Sequence, residues 1–146
     1  MPLTRVDDPV GVTRRWVAAV CALCVVIVAG LGTHLLLPDT AGSDVAGDAL
    51  YAVAVYAFVV AVAPRLVPVW VGVISAAWCV AVEVFQLTGI PVALSSSFGP
   101  VVLVLGTVFD SRDVVIYVSA IVVAAGVDAV TGLMLASRRS RGASSR

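Results

Sequence analysis

The sequence has no lysine, and all nine of its basic residues are arginines. It has one histidine, three cysteines, and 12% charged residues, against about 25% in soluble domains. Each shortage excludes something. One histidine and scattered cysteines make no metal-ligand cluster. A net charge of zero gives nucleic-acid binding no electrostatic footing. No nucleophile–base pair stands out, no cofactor motif is present, and no internal repeat suggests the inverted symmetry of many transporters. The missing lysine, with abundant alanine and valine, points to GC-rich coding, which concerns the genome and not the mechanism.

Apolar residues are abundant. They make up 61% of the 146 residues, and the mean hydropathy is +1.11. The stretch 69–88, VWVGVISAAWCVAVEVFQLT, is long and apolar enough to cross a bilayer, yet it carries Glu83 and, one helical turn on, Gln86. An acid in such a segment is costly and belongs against protein or a watery cavity. Glu83 is therefore the centre of the functional reading.

In chain order, residues 1–15 read as a polar cytoplasmic tail holding Arg5, Arg14 and Arg15. Residues 16–37 form an apolar run that spans about 33 Å as a helix, against a hydrocarbon core of roughly 30 Å. A signal peptide is the competing reading, but the run exceeds an apolar signal region of about 7–15 residues and no A-x-A site follows. Pro38 ends it. A second helix is expected over 45–63, with Asp48 either capping its start or belonging to a site. Pro64, Arg65 and Pro68 make a tight turn before the third helix, 69–88. The run 101–105 is too short to span and reads as a re-entrant or interfacial segment. A last helix covers 114–136, and 137–146 reads as a basic disordered tail. The expectation is one all-α domain, 16–136, a polytopic membrane bundle of four transmembrane helices.

Orientation follows from the arginines. With four spans both termini share a side, which holds Arg5, Arg14, Arg15, Arg65, Arg138, Arg139, Arg141 and Arg146; the other side holds only Arg112. The excess of positive charge places that side in the cytoplasm. Trp16 and Trp70 fall at the same boundary, where interfacial tryptophans belong.

This topology brings polar residues from every helix to the outer boundary: His34, Asp48 and Tyr51, Glu83 and Gln86, then Asp110, Arg112, Asp113 and Tyr117. Ordinary interfacial residues meeting headgroups account for Asp48, Asp110 and Arg112. They account less well for Glu83, whose neighbours Val82, Val84 and Phe85 are apolar. Glu83 is expected to face protein and to meet Asp48, Asp113 or Tyr117, with at least one carboxyl of such a cluster protonated near neutral pH. The binding residues expected are Asp48, Tyr51, Glu83, Gln86, Asp113 and Tyr117. On the last helix Asp113, Tyr117, Ala120, Ala124, Asp128 and Thr131 form one stripe. Asp128 lies deeper, and Ser75 at a similar depth; it marks either a second, inner polar site or a locally paired, protonated acid. Cys21-Ala22-Leu23-Cys24 has C-x-x-C spacing but no second ligand pair, so all three cysteines, Cys79 included, read as small apolar residues buried in helix packing.

Gly47-Asp48-Ala49-Leu50-Tyr51-Ala52, Glu83-x-x-Gln86, Leu105-Gly106-x-x-Phe109, and Asp113 with Tyr117 together resemble the bacterial membrane-protein family called domain of unknown function 2809. The pattern of that family has an arginine before the Leu-Gly motif and a glycine after the tyrosine. Here Ala93-Leu94-Ser95-Ser96-Ser97 and Ser119-Ala120 stand instead. The layout more distantly resembles the VanZ-like family linked to teicoplanin resistance. These resemblances imply a shared fold and a role at the cell envelope, without an established reaction. Three readings follow: a protein of the bacterial cytoplasmic membrane that binds a membrane lipid, a lipid-linked precursor or another amphiphile at an outer polar pocket; a proton-coupled transporter or accessory subunit, which four helices would need oligomers to form; and a lipid-modifying enzyme using Glu83 as acid or base.

Overall fold

The computed structural model describes residues 9–38, 40–91, 93 and 109–143, with side chains up to residue 137. Among the described residues, four long helices stand out: α1 Pro9–Leu36, α2 Ala41–Val62, α3 Pro68–Gln86 and α4 Ser111–Ala143. All four are long and apolar enough to cross a membrane, and no strand occurs among the described residues. The proposed re-entrant stretch 101–105 lies outside the described residues.

The ends of the helices have local causes. α1 begins at Pro9, where a ring without an N–H costs nothing, so Arg14 and Arg15 lie inside a helix rather than in a tail. α2 starts at Ala41, earlier than expected, because Thr40 and Ser43 close a capping box: Thr40 Oγ1 accepts from the Ser43 N–H at 3.2 Å, and Ser43 Oγ accepts from the Thr40 N–H at 2.8 Å. That places Asp48 two turns inside α2, so the capping reading does not describe it. Pro68 opens α3. The α3 helix stops at Gln86, before the expected 88, because Gly89 turns the chain at φ +69°, a conformation suited to glycine. Asp110 starts α4, its Oδ1 accepting from the Arg112 N–H at 2.8 Å. At its other end α4 runs to Ala143, where a disordered tail was expected; no proline interrupts 137–143.

The helices run up and down. α2 is central and packs against α1, α3 and α4; α3 also packs against α4, whereas α1 packs against α2 alone. The buried core lies mainly among α2, α3 and α4, with Ala52, Tyr56 and Val60 meeting Val71, Cys79, Tyr117 and Ile121; α1 contributes Ala19. α3 and α4 approach closely at Gly72, where an added Cβ would lie 3.6 Å from Ile121 and 3.8 Å from Ala125. The outward faces are apolar: Val28, Val122 and Leu133 are among many exposed large side chains. Water would penalise such a surface, whereas hydrocarbon matches it. The chain is a multi-pass membrane protein.

Candidate functional site

One side of α3 is buried along its length, through Pro68, Val71, Ser75, Cys79, Val82, Glu83 and Gln86, at helical spacing. Glu83 is 0% exposed and the largest fully buried side chain. A carboxyl there needs partners. Its Oε1 accepts from the Tyr117 hydroxyl at 3.1 Å, and its Oε2 accepts from the Asp110 backbone N–H at 3.3 Å. Glu83 thus ties the end of α3 to the start of α4, where the helix dipole favours negative charge.

The network continues from Tyr117. Its hydroxyl lies 3.4 Å from Asp48 Oδ1 on α2. A phenol has one proton, so Tyr117 donates to one carboxyl at a time and can accept from the other if that group is protonated. Asp113 on α4 lies close enough to Asp48 for the two carboxyls to interact. Glu83, Tyr117 and Asp48, with Asp113 beside Asp48, therefore form a polar cluster across α2, α3 and α4, at one end of the bundle.

The remaining expected residues surround this cluster. The ring of Tyr51 lies 5.9 Å from that of Tyr117, centroid to centroid, and its hydroxyl accepts from Trp78 Nε1 at 3.1 Å. Gln86 is buried one turn beyond Glu83 on the same face. Arg112 is exposed. Two contributors were not singled out from the sequence as site residues. Trp78 gave no signal beyond its type, and Asp110 acts through its backbone, which no side-chain pattern records.

A second polar cluster occupies the opposite end. Arg15 on α1 reaches Asp128 on α4: Nε lies 3.0 and 3.2 Å from the two carboxylate oxygens, and Nη2 lies 2.5 Å from Oδ2. Nη1 donates to the carbonyls of Pro64 and Leu66 in the α2–α3 turn, both at 2.6 Å. The Tyr56 hydroxyl donates to Asp128 Oδ2 at 3.0 Å. Asp128 is thus paired across helices with an arginine, and neither Ser75 nor Thr131 joins it through its side chain. Ser75 is buried but donates to the Val71 carbonyl at 2.8 Å, and Thr131 donates to the backbone carbonyl of Asp128 at 2.9 Å. Arg15 was hidden in the apparent tail. Tyr56 was legible in principle, since Asp48, Ala52 and Tyr56 recur every four residues on one helix face.

Among the described residues no group of three histidine, cysteine, aspartate or glutamate side chains is arranged to hold a metal ion. Cys79 is buried in the core, as expected, but Cys21 and Cys24 are free and exposed on α1, because that helix buries little beyond Ala19.

A family model described as "Protein of unknown function (DUF2809)" matches residues 37–121. The chain belongs to this family. The DUF2809 match takes in every residue of the Glu83 network and ends before Asp128. No curated protein and no solved structure matches the chain.

Proposed function

We propose that this DUF2809 protein binds the polar headgroup of a membrane lipid, a lipid-linked precursor or a similar amphiphile at the Glu83 end of the bundle. The observation that supports this reading is a fully buried glutamate joined through Tyr117 to Asp48, with Asp113 beside it, at the level where the helices end. That level belongs to lipid headgroups if the helices span the bilayer. A site rich in carboxyls suits a ligand that donates hydrogen bonds or carries positive charge, such as sugar hydroxyls or an ammonium group. The VanZ-like resemblance in the order of these acids is consistent with a place at the cell envelope.

The arginine distribution supports the orientation: the Arg15 end faces the cytoplasm, both termini lie there, and the Glu83 end faces outward across the bacterial cytoplasmic membrane. Reporter fusions at Arg146 and in the turn around Thr40 test this directly. A cytoplasmic signal from the turn would reverse the proposed orientation.

Binding is tested by mass spectrometry of lipids that co-purify with wild type, Glu83→Gln and Asp113→Asn. In Glu83→Gln the amide oxygen can accept from the Asp110 N–H while its NH2 donates to the Tyr117 hydroxyl, so packing survives and the charge is lost. Both variants should lose the bound species. Ser119→Ala is the control, because Ser119 is exposed and bonds only its own helix, at the Val115 carbonyl. An unchanged lipid profile in both acid variants would remove the headgroup reading. The crowding of Asp48, Glu83 and Asp113 around Tyr117 favours the second reading, proton-coupled transport, which would then be taken up by measuring proton flux in vesicles. The enzymatic reading with Glu83 as acid or base predicts altered lipid instead, visible in the same spectra.

A further inference from the structure

The Arg15 cluster is not needed to bind a headgroup at the other end, yet Arg15 alone donates to Asp128 and to two backbone carbonyls. α1 and α4 do not pack on each other; Arg15 bridges them by passing under the α2–α3 turn. Near the Arg15 end α3 and α4 approach closely at Gly72, beside Ile121 and Ala125, and α4 presents the small residues Ala120, Ala124 and Ala125 to the core. Small side chains allow close approach but offer shallow ridges, which resist sliding along the helix axis weakly. The axial level of α4 then needs another determinant.

We infer that Arg15 and Asp128 form a register pin that sets the level of α4 against the α2–α3 turn, and so holds Tyr117 and the Asp110 N–H at the level of Glu83. Asp128 and Tyr117 lie eleven residues apart on one helix, about 16 Å of rise, so a slip at one end is carried rigidly to the other. The three groups fixed by Arg15 belong to two segments: Asp128 to α4, and Pro64 and Leu66 to the turn that delivers α3. The planar guanidinium holds them in one geometry, which an ammonium would not. Arg15 and Asp128 are positioning residues in this account. The inference rests on the Glu83 network being the working site only for its importance, because its test reads structure and not ligand.

The test is amide hydrogen exchange of the purified full chain in lipid nanodiscs, with thermal unfolding alongside. The Asp110 N–H, which donates to Glu83, reports the tie between α3 and α4; the Arg112 N–H, bonded within the start of α4 to Asp110, reports fraying of that helix. Arg15→Gln and Asp128→Asn should both speed exchange at Asp110 by about tenfold or more while leaving Arg112 unchanged. The apolar pair Arg15→Met with Asp128→Leu separates stability from register. Removing both charges restores thermal stability toward wild type, but Asp110 should stay fast, since nothing apolar fixes the level. Arg15→Lys, which keeps the charge and loses the fork, should fall between. Wild-type protection of Asp110 in the apolar double variant, or in Arg15→Gln should the double not fold, would show that packing alone sets the register and overturn the pin. Loss of bound lipid in Glu83→Gln, or its retention, leaves this result untouched.

Discussion

The two ends of the bundle bury acids by opposite means. At the Arg15 end one carboxylate, Asp128, is met by a guanidinium fork and a phenol, and the remaining guanidinium donor is spent on two backbone carbonyls. Charge is balanced there, and the side chains of Arg15 and Asp128 are 9% and 15% exposed. At the Glu83 end Tyr117 links Glu83 to Asp48, with Asp113 beside Asp48, while Arg112 is exposed. A balanced pair has what it needs within the protein. Among the described residues the Glu83 end has more carboxyls than cations, and on the proposed function that is the capacity a headgroup's donors would take up. The family match agrees with this division in extent, covering the Glu83 network and stopping short of both Arg15 and Asp128.

The largest effect that can break this comparison is at the Arg15 end. Asp128→Ala leaves a guanidinium with 9% exposure facing two carbonyls and no counter-charge. Breaking a buried pair from one side costs about 3–5 kcal/mol. Thermal unfolding in detergent should show a drop of that order, with Arg15→Ala close behind. A loss below about 1 kcal/mol would class the pair with exposed surface bridges, which contribute little, and would erase the contrast between the ends.

A middling effect is expected at Tyr117→Phe. The ring and its contact with Tyr51 remain, while the hydroxyl that joins Glu83 to Asp48 is lost. Glu83 keeps the Asp110 N–H. The expected cost is about 1–2 kcal/mol, since one buried acceptor loses its partner. The variant also cuts the polar chain between α3 and α2, so cooperative loss of bound lipid together with this modest destabilisation is the outcome that fits a connected site.

How much of this was legible beforehand differs between the ends for a physical reason. The four spans were visible because hydrocarbon demands about 20 apolar residues per helix. The Glu83 network was visible because Glu83, Asp113 and Tyr117 break apolar runs at helical spacing, and a short connection fixes α2 against α3. The Arg15 pair was not, because Arg15 sits where an interfacial arginine is ordinary and its partner lies 113 positions away. Helix periodicity places residues on faces; it does not say which distant side chain is long enough to reach them. Local chemistry misled in a similar way at α2. Asp48 near a helix start resembles a cap, but Thr40 with Ser43 makes the better one and leaves Asp48 for the interior.

The smallest effect sharpens the comparison most. Asp113→Asn makes the same chemical change as Asp128→Asn, on the same helix, at the other end. At Asp128 the change removes the counter-charge of a buried arginine and should destabilise. At Asp113 it removes one of several crowded acids. An asparagine NH2 can donate to Asp48, which an ionised Asp113 cannot do. Relief of like-charge crowding works in the same direction. Asp113→Asn should therefore unfold within about 0.5 kcal/mol of wild type, or slightly above it, when read in the same detergent at the same pH. If Asp113→Asn costs as much as Asp128→Asn, the acids at the Glu83 end are as fully balanced as the one at the Arg15 end, and the case for a site with unused capacity fails on stability grounds alone, before any ligand is sought.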